Sequence, residues 1–220
     1  MCNFSTPRIK KGSGPKCVLH NSNYRRRALP YLRVDFNQRC AYSMRHWILA
    51  GGESQMEVDH FNPRLKGQAR HRYKNLFLAS RVCNNAKSDS WPTAREAAAG
   101  IRLIDPTVEG DYGVQIFEDP ITHELVGTTP AARYHIDIMD LNAESFFDER
   151  RCRSAAAKLM KTRPARISGD LSQAREAIRV VLQLIERWIP PIPAPPAGQT
   201  SSAPAQLPHP VLPASGVSTT

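Results

Sequence analysis

The apolar residues of this chain fall into short runs separated by turn residues, a spacing that predicts a mixture of short strands and helices. Between Arg39 and Pro92, Gly51-Gly52 precedes the run Met56-Glu57-Val58-Asp59-His60, which Asn62-Pro63 stops. Asn75 then opens a second run, Leu76-Phe77-Leu78-Ala79, followed by the polar RVCNNAKSD. This order predicts strand, loop, strand, helix, with His60 closing the first strand and Cys83 to Lys87 opening the helix. Beyond Trp91-Pro92, TAREAAAG predicts a short helix ended by Gly100, whereas GVQIFED, HELVG and RYHIDI predict short strands around turns at Asp119-Pro120 and Gly127. Two helices follow. The first is capped near Asn142 and runs toward Lys161; the second opens with Asp170 and Gln173 in a capping-box arrangement. In that second helix Leu171, Ala174, Ile178, Val181, Leu182, Ile185 and Trp188 recur at helical spacing, a stripe that reads as core. From Ile189 the chain is rich in Pro, Ala and Ser and carries no Asp, Glu, Lys or Arg. Such a segment cannot bury enough apolar surface to offset chain entropy, so a disordered, polyproline-like tail is expected.

Charge changes this picture from a scaffold to a binding protein. The 220 residues hold 30 Lys and Arg against 20 Asp and Glu, a formal net charge of +10. Basic side chains that neutralise phosphates release condensed counterions, so a polyanionic partner, nucleic acid first, is expected beside the plainer reading of a solvated basic surface. The first 39 residues concentrate the effect, with Asp35 their only acid. The 5 cysteines lack a disulfide-like framework, and the N-terminus lacks an apolar signal core, which favours a reducing cytoplasm. No apolar run approaches the roughly 20 residues that span a bilayer, so no membrane association is expected.

Candidate chemistry sits around the two central runs. Asp59 and His60 end the first, Asn75 precedes the second, and Asn84 and Lys87 follow it, so the order is acid, imidazole, amide, amide. Singly, each residue is weak; a His at a strand end is more often structural than catalytic. Taken with RCAYSMRH, with VDHFNP and its basic loop RLKG, and with YKNL followed by CNNAKSD, the span from Arg39 to about Trp91 resembles the HNH endonucleases, the ββα-metal or His-Me finger nucleases.

The resemblance implies an α+β protein. An N-terminal ββα-metal finger would be joined to a small strand-plus-helix region and the disordered Pro-rich tail, divided as a basic arm (1–38), nuclease core (39–92), extension (93–188) and tail (189–220). It further implies that His60 is the general base that takes a proton from water, a role its near-neutral intrinsic pKa suits. Asp59 and Asn84 would be oxygen ligands to one Mg²⁺ or Mn²⁺, which needs few protein ligands because it keeps several waters. Asn75 would bridge the turn and hold the base in place. Lys87 would contact the scissile phosphate or support Asn84, and Arg64 and Lys66 would either grip the DNA backbone, which orients a duplex without reading its sequence, or stand as solvated loop charges. Where many relatives carry two CxxC knuckles for zinc, this chain has Cys40-Ala41-Tyr42-Ser43 and Ser80-Arg81-Val82-Cys83. Serine is a poor zinc ligand beside thiolate, so no structural zinc is expected.

The region after Pro92 is similar to extensions of stand-alone bacterial and phage HNH proteins, including defence nucleases that work beside an ATPase. A role in phage defence or a mobile element follows from that likeness. The competing expectation is a non-catalytic nucleic-acid-binding module that retains the finger as a scaffold. RNA is a further substrate class, because single-metal hydrolysis does not itself distinguish the sugars.

Overall fold

A computed structural model describes residues 8–161, together with Arg179, Gln183 and 192–196. The helix expected from Asp170 toward Trp188 and the Pro-rich tail lie outside the described residues, those few positions apart. Among the described residues the protein is mixed α+β, with two two-stranded antiparallel sheets and six α-helices. In chain order these are α1 (Tyr24–Asp35), β1 (Met56–His60), α2 (Gly67–Arg70), β2 (Leu76–Ser80), α3 (Arg81–Lys87), α4 (Ala94–Ala98), β3 (Ile116–Glu118), β4 (Leu125–Gly127), α5 (Pro130–Ile138) and α6 (Glu144–Lys161). No helix among the described residues is long and apolar enough to cross a membrane.

β1 and β2 pair from Met56↔Ser80 to His60↔Leu76. Every position of β2 is buried, which is why its apolar run is continuous rather than alternating. Both strands are packed by α1 and α3. α1 presents Tyr24, Ala28 and Leu32 to the interior at a four-residue repeat, and Phe36 just beyond it is also buried. The basic N-terminal segment is therefore part of the central core as well as a charged surface. α3 starts where Ser80 Oγ accepts from the Cys83 amide, an N-cap that turns the chain directly out of β2.

The later elements lock onto this centre through polar contacts. Arg8 pairs with Asp111 at 2.6 Å and donates to the Ala41 carbonyl at 2.7 Å, while Tyr112 Oη donates to the Tyr42 carbonyl at 2.7 Å. β3 and β4 form a hairpin in which Glu118 accepts from His123 Nδ1 at 2.8 Å and also pairs with buried Arg153. Buried Arg150 donates to the His123 and Leu141 carbonyls and to Asn142 Oδ1. One contiguous apolar cluster runs from Ile9 through both halves to Phe146.

One expected strand is a helix. RYHIDI lies in α5, whose start is set by Thr129, accepting from the Ala132 amide, and by Pro130 in the first turn. Those two residues outweigh the local alternation, and Ala132, His135, Ile136 and Met139 then recur on the buried side. Gly127 in β4 permits the approach, because a Cβ there would meet the Arg133 nitrogen at 2.5 Å.

His135 is 1% exposed; its Nδ1 accepts from the Ile104 amide at 3.4 Å and its Nε2 has no partner among the described residues. Burial pushes its pKa down to about 4, outweighing the favourable field of Asp111. Since the unfolded chain takes up this proton below about 6.5 and the folded chain does not, the stability is whole above that pH and is lost as pH falls toward 4. His135→Leu is expected to flatten the fall measured by urea unfolding between pH 7 and pH 4 by on the order of 3 kcal/mol. An unchanged slope would place the acid sensitivity elsewhere.

Candidate functional site

Asp59 lies within β1, 6% exposed, and its carboxylate is held by two groups from elements on either side. Tyr42 Oη donates to Oδ2 in a short bond, and Lys87 Nζ from the end of α3 stands 3.0 Å from each oxygen. Lys87 is fully buried and also donates to the His60 carbonyl at 2.8 Å. Burial and the negative charge of Asp59 push the Tyr42 phenol well above its ordinary range, so it remains a donor. Lys87, expected at a phosphate, is instead consumed inside the protein: a buried carboxylate needs a counter-charge, and the last turn of α3 puts one beside it.

His60, the last residue of β1, is 8% exposed and is packed by aromatic rings. Tyr24 from α1 lies with its ring 4.7 Å from the imidazole and 5.0 Å from that of His71. His60 Nε2 meets His71 Nδ1 at 3.2 Å, so one of the two nitrogens carries the proton between them. Burial, then the charges of Arg70, His71, Lys87 and Arg25, push the His60 pKa down to about 4, leaving the ring neutral at physiological pH.

The loop from Phe61 to Lys74 is tied by Asn75. Its Oδ1 accepts from the Asn62 amide at 2.9 Å, and its Nδ2 donates to the Asn62 carbonyl at 3.2 Å and to the Arg70 carbonyl at 2.9 Å. The loop is thereby folded back so that Arg70 and His71 stand beside His60. Asn75→Ala removes three bonds and leaves buried groups unsatisfied, and is expected to cost about 2–3 kcal/mol in denaturant titration. A cost below about 0.5 kcal/mol would mean the loop is held by other contacts.

These elements line an open polar cleft of about 410 Å³. Asp59, His60, Asn84 and Asp89 line it together with Arg25 from α1 and Arg70 from the loop. Arg70 Nε is buried without a partner among the described residues, and Arg25 donates to the neighbouring Tyr24 Oη at 2.9 Å. The cleft thus combines a neutral imidazole, hard oxygen donors and cationic groups, which suits an anion such as a phosphate. Asn84 Nδ2 donates to Glu57 Oε2 at 2.7 Å, so its oxygen is the atom that takes no hydrogen bond among the described residues. Asp59 Oδ1 has a second lone pair beyond its bond to Lys87, whereas Oδ2 faces both Tyr42 and Lys87. An all-oxygen pair of this kind fits Mg²⁺ or Mn²⁺ better than zinc. Among the described residues no group of three or more His, Cys, Asp and Glu side chains is gathered.

His60, Asp59 and Asn84 are thus brought to one cleft and Asn75 to the loop behind it, whereas Arg64 and Lys66 are exposed on that loop. Arg64 reaches the Trp91 carbonyl at 3.4 Å. Tyr24, Arg25, Tyr42, Arg70 and His71 were not singled out by spacing. The RCAYSMRH segment held one signal, a tyrosine two residues after Cys40, but nothing in the order of residues pairs it with Asp59. Comparison of the chain with protein-family profiles, with curated proteins and with solved structures gives no match.

Proposed function

We propose that this chain is a metal-dependent endonuclease of the HNH type that hydrolyses DNA phosphodiester bonds in the cytoplasm, with β1, β2 and α3 as its ββα-metal finger. The observation that carries the proposal is the convergence of His60, the oxygens of Asp59 and Asn84, and the guanidinium groups of Arg25 and Arg70 on one polar cleft. Hydrolysis of a phosphodiester needs an activated water and neutralisation of charge on the phosphate and leaving oxygen. Asp59 and Asn84 would hold a hydrated Mg²⁺, which supplies positive charge to the phosphate and leaving group.

The chain's own residues supply the rest. Arg25 and Arg70 draw the phosphate to the cleft and oppose the charge that develops on it. His60, neutral at physiological pH, accepts the proton of the attacking water at one ring nitrogen while the other is held by His71. Tyr24 fixes the plane of both rings. Lys87 and Tyr42 set the direction of the Asp59 carboxylate. Lys66, Arg64 and the exposed arginines of α1 extend the basic surface along a duplex.

A non-catalytic nucleic-acid-binding module has one observation in its favour: Lys87 already neutralises Asp59, so the fold needs no cation to tolerate that carboxylate. The two readings separate on supercoiled plasmid incubated with Mg²⁺ or Mn²⁺ and with EDTA, run beside a linear RNA of similar length. Metal-dependent relaxation is the expected result. Salt-sensitive gel shifts with both substrates left intact in either metal would overturn the nuclease and leave the binding module.

A further inference from the structure

The two buried cysteines outside the cleft carry an inference independent of the nuclease proposal. CAYS at 40–43 and SRVC at 80–83 are mirror-ordered, and the fold brings them together. The Ala41 amide donates to the Leu78 carbonyl at 2.7 Å, placing the 40–43 turn against β2. Ser80 Oγ lies 3.6 Å from Cys40 Sγ while it caps α3 through the Cys83 amide. Cys40 and Cys83 are both free and fully buried, and Ser80 stands between them, its Oγ 3.6 Å from Cys40 Sγ and 3.4 Å from the Cys83 nitrogen. Two sulfurs and two hydroxyls make a poor tetrahedral metal cage, but two buried thiols gathered around one serine are placed for a disulfide.

We propose that Cys40 and Cys83 form a vicinal dithiol that a peroxide converts to a disulfide, clamping the 40–43 turn to the start of α3. Half-buried Ser43 follows Cys40 by three residues and exposed Val82 directly precedes Cys83, so a local opening of these segments is the route for a small oxidant. Cys40 thiolate attacks one oxygen of hydrogen peroxide; the O–O bond breaks and hydroxide leaves. Cys83 Sγ then attacks the Cys40 sulfenic sulfur as it gives up its proton, the S–S bond forms, and the S–O bond breaks with loss of the second hydroxide. The two thiol protons convert both hydroxides to water, and the two electrons reduce the peroxide. The clamp would join the turn that brings Tyr42 to Asp59 with the helix that carries Asn84 and Lys87.

The test uses the full chain with Cys2→Ser, Cys17→Ser and Cys152→Ser, so that only Cys40 and Cys83 remain. One equivalent of hydrogen peroxide is expected to remove two hydrogens from the intact mass, to yield a cross-linked peptide pair holding Cys40 and Cys83, and to raise Tm by about 5–10 °C, reversed by dithiothreitol. If the triple variant does not fold, peptide mapping of the unsubstituted chain gives the same cross-link readout. Both thiols still open to alkylation after peroxide and unfolding, or sulfinic acid on each without a cross-link, would overturn the proposal. Neither result depends on whether the protein cuts DNA.

Discussion

His60→Ala is expected to lower Mg²⁺-dependent plasmid relaxation by about 10²- to 10⁴-fold while leaving DNA affinity within about twofold. The imidazole is the one group in the cleft that is both neutral at physiological pH and positioned to take a proton. DNA affinity should persist because the basic groups of the rim, Arg25, Arg64, Lys66 and Arg70, are untouched. The same residue sets the pH dependence. Its basic form is needed, so activity is lost as pH falls through the folded pKa, and burial with the surrounding cations moves that point below the ordinary 6.5 toward 4. Wild-type relaxation should therefore be nearly as fast at pH 6 as at pH 7. His71→Ala is expected to lower the rate less than His60→Ala does, because it removes a holder of the ring and not the acceptor of the proton. A His60→Ala protein that retains wild-type rate would remove the imidazole from the mechanism.

Lys87→Ala carries the largest expected cost in stability, about 3–5 kcal/mol by denaturant unfolding, since it leaves the Asp59 carboxylate buried with Tyr42 as its only remaining side-chain donor among the described residues. The double change Asp59→Asn with Lys87→Met should recover most of that loss, because neither a buried charge nor an unpaired ammonium remains. A single-variant cost below about 1 kcal/mol would show that the pair is solvated and that Lys87 is free to serve another purpose.

The central strands, the following helix and the four-residue order around them were legible because each depends on local pattern. An apolar run bounded by Asn62-Pro63, a run opened by Asn75 and a serine cap at Ser80 all act within a few residues. At α5 two local signals conflict: the apolar alternation of RYHIDI favours a strand, and the Thr129-Pro130 start favours the helix that forms. Around α1 the interleaved aromatics Tyr24 and Phe36 point to packing of a short helix within the basic arm, whereas Ala28 and Leu32 of the same stripe are obscured by the intervening arginines and Pro30. The partners of the site were hidden for a different reason. His71, Arg70, Arg25 and Tyr42 reach the cleft only after Asn75 folds the loop, α1 crosses both strands and the 40–43 turn seats on β2. Burial of Lys87 was equally nonlocal, because it depends on where β1 places Asp59.

The central claim is that Asp59 and Asn84 present oxygens to one hydrated cation beside His60. Titration of Mn²⁺ into the protein, followed by the electron paramagnetic resonance signal of the free ion, tests it without requiring turnover. The expected result is one site per chain that Asp59→Ala and Asn84→Ala each weaken at least about tenfold, with His60→Ala binding like the wild type. No bound Mn²⁺, or a site that neither substitution affects, would contradict it.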